Sequence, residues 1–140
     1  MQKYFLIVLL IFSPGVVFAK WPIFLDAKPA KGDEVGEKVI YYFKDAVQAS
    51  NIFYLADKPE GFVLKIVTKD VETSSIRKRN ISALAVVWAL YNRGQFDYFL
   101  NSAVYTCELI SAQECGETVL KDSNGYLEKL QSSIGLDSKM

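Results

Sequence analysis

The stretch ISALAVVWALYNRGQFDYFLNSAVYTC, residues 81–107, decides the fold class of this chain. If this stretch forms strands, the residues on either side of the turn from Asn92 to Gly94 pair as a hairpin, because both sides are rich in β-branched and aromatic residues. If it forms helices, Phe96 to Cys107 carries one apolar face and Gly94 caps the preceding helix. A single helical hairpin of the repeat type cannot bury its apolar face. The strand interpretation is therefore favoured, with a mostly helical fold as the alternative.

The segments before this stretch add two further strands. Residues 52–55 and 62–71 are rich in β-branched and aromatic side chains, and the turn-forming run from Asp57 to Gly61 separates them. The strict alternation in residues 62–69 places Lys65 and Lys69 on one face, which we expect to meet water. These features predict a hairpin, and together with residues 81–107 a four-stranded antiparallel meander.

Helical spacing flanks the predicted sheet on both sides. In residues 33–50 apolar side chains recur every three or four positions, and acidic residues occupy the first turns. A second helical pattern begins at Ser111 and is interrupted at 123–125, which predicts a broken C-terminal helix. Residues 20–32 show neither the helical nor the strand periodicity of apolar residues and are predicted to form an extended lead-in. The prediction is a single α+β domain over 33–134, with residues 135–140 fraying.

The N-terminal residues have the pattern of a secretory signal peptide. A short basic start and an apolar run precede a helix-breaking Pro14-Gly15, and small residues lead up to Ala19. The apolar run is shorter than the roughly 20 residues a membrane span requires, which disfavours the alternative of a retained anchor. We predict cleavage between Ala19 and Lys20 and export to the periplasm, or else full secretion. The remaining 121 residues carry a net charge of minus one.

Cys107 and Cys115 are the two cysteines of the chain. An even number of cysteines in an exported domain predicts one structural disulfide. The chain-entropy treatment gives so short a loop about 2.5 kcal/mol of stabilisation. The spacing is not the C-x-x-C of a redox catalyst.

The composition excludes most common catalytic sites. Histidine is absent, which excludes Ser-His and Cys-His nucleophile pairs and His-ligated metals. Two possible carboxylate pairs remain, Asp57 with Glu60 and Asp70 with Glu72, but each lies in or beside a predicted turn where acidic residues are common. No sequence motif for a cofactor or a metal is present, and none is expected to bind.

Two sets of residues are candidates for contact with a partner. The triplet Arg77, Lys78 and Arg79 could contact an acidic protein, although a solvated loop is the more common role of such a run. Six tyrosines could line a groove or a partner surface, or could instead fill the core and its rim; they are Tyr41, Tyr42, Tyr54, Tyr91, Tyr98 and Tyr105. The neutral charge balance gives no reason to expect nucleic acid as a partner, and no membrane insertion is expected after cleavage.

The order helix, four strands, helix resembles small exported bacterial proteins of unassigned function that carry one Cys-Cys bridge after a terminal strand. The residues that carry this resemblance are the helix running into 51–54, the strand 63–68 and the stretch 101–107 with Cys115 beyond it. The resemblance implies a fold and transfers no catalytic motif.

These observations lead to a functional hypothesis. The chain is predicted to be an exported, non-enzymatic protein that binds another envelope or secreted protein, as an accessory, inhibitor or immunity-type factor. Two alternatives are a small hydrolase of the cell wall that uses paired carboxylates, and a structural subunit of an envelope complex.

Overall fold

The computed structural model describes residues 19–71, 81–93 and 97–133. They form five strands, two α-helices and one short 3-10 helix. In chain order these are β1 (Trp21–Lys28), α1 (Glu34–Ala49), β2 (Phe53–Leu55), β3 (Phe62–Asp70), β4 (Ile81–Leu90), β5 (Tyr98–Glu108), the 3-10 helix (Leu109–Ser111) and α2 (Ala112–Ser133). The predicted α+β class is confirmed, and the strand interpretation of residues 81–107 is confirmed with it.

The five strands form one mixed sheet in the order β2-β1-β3-β4-β5. Strands β3, β4 and β5 form an antiparallel meander, as predicted. Strand β1 lies in the segment that was predicted to be an extended lead-in, and it pairs in parallel with both β2 and β3. A parallel pair requires a crossover connection, and α1 supplies the one between β1 and β2.

The predicted hairpin between β2 and β3 is wrong, because β1 lies between these two strands. Ile23 in β1 pairs with Leu55 at the end of β2 on one side and with Phe62 at the start of β3 on the other. The connection over 56–61 therefore crosses β1 instead of turning back on itself. Gly61 has a φ of +58°, and a Cβ there would stand 2.6 Å from Cγ of Pro22, so both the backbone conformation and the close crossing favour glycine.

Both helices pack on one face of the sheet and bury the core. Helix α1 begins at Asp33, whose buried carboxylate accepts hydrogen bonds from the Gly36 N–H at 2.9 Å and from the Ser82 hydroxyl at 2.6 Å. The N-cap thus also ties the start of the helix to β4. The largest fully buried side chains belong to this core; they are Trp88, Phe43, Phe53, Phe62, Ile23, Leu64, Ile66 and Leu84.

Helix α2 is continuous through residues 123–125, so the predicted break is wrong. The Ser123 hydroxyl accepts a hydrogen bond from Nε1 of the buried Trp88 at 2.7 Å and donates one to the Val119 carbonyl at 2.7 Å. Serine is often found at helix ends, but here Ser123 lies inside the helix and is the hydrogen-bond acceptor for Trp88, the largest side chain of the core. Gly116, one turn after the start of the helix, lets α2 approach α1 closely, because a Cβ there would stand 2.7 Å from the Phe43 backbone nitrogen.

Candidate interaction surface

The two edges of the sheet differ greatly in length. Strand β2 at one edge has three residues, whereas β5 at the other has eleven. Among the described residues no strand pairs with the outer side of β5. An edge strand of this length presents a row of backbone donors and acceptors that another chain can pair with.

One hydrogen bond shows which backbone groups of β5 face away from β4. The Ser102 N–H donates a hydrogen bond to the Asn101 side-chain oxygen at 2.8 Å and not to β4. Successive residues of an antiparallel strand point their backbone groups alternately toward and away from the neighbouring strand. Val104 and Thr106 therefore also present their N–H and C=O groups at the free edge.

The sheet face opposite the helices has no described helix or strand packed on it, and its side chains are apolar at some positions and charged at others. We call it the outer face and define it by Phe24, Val63, Val67, Ala85, Val87, Phe99 and Val104, which lie on one side by strand alternation. The solvent-exposed fractions of Val67, Phe99 and Val104 are 54%, 65% and 75%. Strand β4 is apolar on both faces, a pattern typical of a strand covered on both sides. That pattern was the sequence signal that could have indicated this surface.

Four charged side chains of the described strands lie on the outer face; they are Asp26 and Lys28 in β1 and Lys65 and Lys69 in β3. Lys65 forms an ion pair with Asp97 at 3.5 Å, and the Lys65 side chain is 48% exposed. An exposed pair of this kind contributes about 0–1 kcal/mol to stability. Lys65 and Lys69 are exposed as the alternation predicted.

The disulfide between Cys107 and Cys115 is present, with a Cα–Cα distance of 6.1 Å. It joins the last residues of β5 to the first turn of α2, and Cys107 is fully buried. The bond therefore fixes the C-terminal end of the free edge strand against the helical layer.

Three of the four candidate carboxylates, Asp57, Glu60 and Asp70, lie in the described residues. Asp57 and Glu60 are exposed on the connection that crosses β1, and Glu60 accepts a hydrogen bond from the Tyr54 hydroxyl at 2.7 Å. That hydrogen bond raises the pKa of Tyr54 above its ordinary value. Asp70 is half-buried at the end of β3, and Glu72 lies outside the described residues. In the described part of the chain, no three His, Cys, Asp or Glu side chains form a group that could hold a metal ion.

The six tyrosines do not form one groove. Tyr41, Tyr54 and Tyr98 are exposed on α1, β2 and β5, and Tyr91 is exposed just after β4. Tyr42 is partly buried against the core. Tyr105 packs on the core side of β5, and its hydroxyl donates a hydrogen bond to Asp122 of α2. Partial burial and this carboxylate raise the pKa of Tyr105 well above its ordinary value.

A shallow groove lies between the end of α1, β2 and the middle of α2. Its volume is about 240 Å³, and its lining includes the apolar Ile52, Phe53 and Leu120. The charged Glu117 and Lys121 also line it. The groove is on the helical side of the sheet and is separate from the outer face.

Other predicted features fall outside the described residues. The triplet Arg77, Lys78 and Arg79 is among them, as are residues 1–18 of the predicted signal peptide and the predicted frayed tail. Ala19 and Lys20, at the predicted cleavage point, are exposed and lead directly into β1. Across the described ranges, no helix is both long enough and apolar enough to cross a membrane.

Neither a protein-family model nor a curated protein matches this chain. Among solved structures, a substituted form of the PelC dodecamer from Paraburkholderia phytofirmans superposes with a TM-score of 0.50 at 10% identity, over 73% of this chain and 87% of that one. A Xanthomonas campestris protein of the family DUF330 superposes with a TM-score of 0.48 at 11% identity, over 86% of this chain and 92% of that one. A hypothetical protein from Chlamydia trachomatis superposes with a TM-score of 0.39 at 10% identity, over 66% of this chain and 76% of that one. The match to PelC shows a shared fold, and these similar structures belong to small bacterial proteins.

Proposed function

We propose that this chain is an exported, non-enzymatic protein that acts by protein–protein contact, as an accessory, inhibitor or immunity-type factor. The observation that carries the proposal is that the long free edge on β5 adjoins exposed apolar side chains of the outer face. Val104 belongs to both features and is 75% exposed. An apolar face rimmed by polar groups marks a site of contact with another macromolecule, and an open edge supplies the backbone pairing.

Two features support export. The N-terminal pattern is that of a signal peptide, and the Cys107–Cys115 disulfide is of a kind that persists in oxidising compartments. The intact mass of the exported chain tests this part. A chain that begins at Lys20 with both cysteines oxidised supports it, whereas a full-length cytosolic chain with free thiols contradicts it.

The PelC structure that shares the fold is a dodecamer. For the present chain we propose that protein assembly is likewise the working state, with β5 and the outer face as the contacting surface. No active site is needed for such a role, since the affinity comes from backbone pairing and apolar contact.

Capture of a partner from an envelope extract tests the contact surface. The bait is the mature chain, and the informative variant is Val104→Lys, which places a charge in the centre of β5. Tyr41→Lys is the matched control, because Tyr41 is 63% exposed on α1 and lies away from the outer face. We expect one stoichiometric protein with the wild-type and control baits and at least a tenfold loss with Val104→Lys. Equal capture by all three baits, or capture of no protein at all, a second copy of this chain included, would contradict the proposal.

A further inference from the structure

We infer that the partner at β5 is a second copy of this chain, bound edge to edge in antiparallel orientation with the two-fold axis beside Val104. The inference rests on the proposed function, since it names the occupant of the same surface. The product is a symmetric dimer with a continuous ten-stranded sheet.

The lengths of the two sheet edges favour pairing of like with like. A head-to-tail contact would place the eleven residues of β5 against the three residues of β2, so most of the free edge would stay unpaired. Contact between two β5 strands offers each edge a partner of equal length. Such an isologous contact uses the same patch on both copies and closes at two subunits.

The side chains of β5 are compatible with this register. With the axis beside Val104, the two Val104 residues face each other, and Ser102 of each copy stands opposite Thr106 of the other. These are the residues whose backbone groups point outward at the free edge, and pairing exchanges the bond from the Ser102 N–H to the Asn101 side-chain oxygen for one to the second copy. Directly opposed β-branched pairs and Ser–Thr pairs each stabilise antiparallel strands by about 0.2–1 kcal/mol.

Charge distinguishes the antiparallel arrangement from the parallel one. Glu108 is the single charged residue of β5. Parallel pairing in register would set the two Glu108 carboxylates side by side, and directly opposed like charges destabilise a strand pair. Antiparallel pairing on Val104 separates them by eight residues along the strands, or about 26 Å at ~3.3 Å per residue.

The expected dimer is weak and reversible. Edge pairing covers the backbone of one strand and the side chains beside it, which is less than the roughly 1,200 Å² of a typical stable interface. We therefore expect a dissociation constant of about ten to a hundred micromolar.

Sedimentation of the mature, disulfide-bonded chain over concentrations up to about 500 µM measures the association directly, because this range spans the expected dissociation constant. We expect a monomer–dimer equilibrium that Val104→Lys abolishes. Tyr41→Lys is the matched control: it adds the same charge at a side chain that is 63% exposed, but Tyr41 lies on α1, away from both β5 and the outer face. This control is expected to keep the wild-type dissociation constant within about threefold.

A cysteine cross-link tests the register. Hydrogen-bonded antiparallel partners have Cα atoms about 5.5 Å apart, within the range that a disulfide spans. Under mild oxidation Val104→Cys is expected to form a covalent dimer at least ten times faster than Tyr41→Cys, whose side chain is exposed on α1. Both variants retain the native disulfide pair.

The outcomes separate this inference from the proposed function. A wild-type chain that stays monomeric throughout, a ring or larger closed assembly, or equal cross-linking of the two cysteine variants overturns self-pairing. If partner capture from the extract still depends on Val104 in that case, the proposed function stands and only the identity of the occupant is wrong. A dimer that Val104→Lys leaves intact also overturns the inference.

Discussion

Replacement of Ser123 by alanine tests the account of the continuous C-terminal helix. Trp88 and Ser123 both have no solvent-exposed surface, and the Ser123 hydroxyl is the acceptor for the indole Nε1 at 2.7 Å. Removal of the hydroxyl leaves that N–H buried without a partner, at a cost of about 1–3 kcal/mol. Alanine is also the better helix former, so the intrinsic propensity opposes the loss by about 0.5 kcal/mol. The net expectation is a loss of about 1–2 kcal/mol.

Urea unfolding followed by tryptophan fluorescence measures this loss, and thermal unfolding should show a decrease in Tm of roughly 3–6 °C per kcal/mol for a domain of this length. Ser133→Ala is the matched control, since the Ser133 hydroxyl makes a similar bond to the Leu130 carbonyl on an exposed part of the same helix. Its free energy of unfolding should stay within about 0.5 kcal/mol of wild type. In a Trp88→Phe background Ser123→Ala should cost nothing further. Equal effects of the Ser123 and Ser133 substitutions would refute the reasoning.

Three further predictions follow from the packing and the polar contacts. Gly116→Ala should destabilise the fold by about 1–3 kcal/mol, because the added Cβ would meet the backbone of α1. Gly125→Ala has no atom within 4 Å of its Cβ and should stabilise the fold by about 0.5–1 kcal/mol. The midpoints of urea unfolding of the two variants and the wild type measure this difference. Replacement of both Cys107 and Cys115 by serine should lower the free energy of unfolding by about 2.5 kcal/mol, and added reductant should then have no effect. Because the pKa of Tyr105 is higher in the folded chain, its protonated hydroxyl contributes its full stabilisation at pH values below the unfolded pKa near 10. This contribution is lost as the pH rises through the higher folded pKa. Tyr105→Phe should therefore flatten the alkaline part of the plot of stability against pH, and an unchanged slope would contradict this.

Local pattern determined much of this protein. The periodicity of residues 33–50 predicted α1 almost to the residue, and the alternation in residues 62–69 assigned Lys65 and Lys69 to the solvent side. The even cysteine count predicted the disulfide. The choice of strands for residues 81–107 followed from the argument that a lone helical hairpin cannot bury its own face. Each of these inferences depends on residues that are close in sequence, where propensity and periodicity carry information.

Pairing over long sequence distances was decided by the tertiary structure alone. Strand β1 shows no clear period in the sequence, and its insertion between β2 and β3 converts an apparent hairpin turn into a connection that crosses over Pro22. The break expected at residues 123–125 is overridden because Trp88, thirty-five positions earlier, requires the Ser123 hydroxyl. The free edge of β5 likewise exists only once strand order is fixed. Local composition cannot specify which strands become neighbours, because that choice depends on how the whole apolar surface is buried at once.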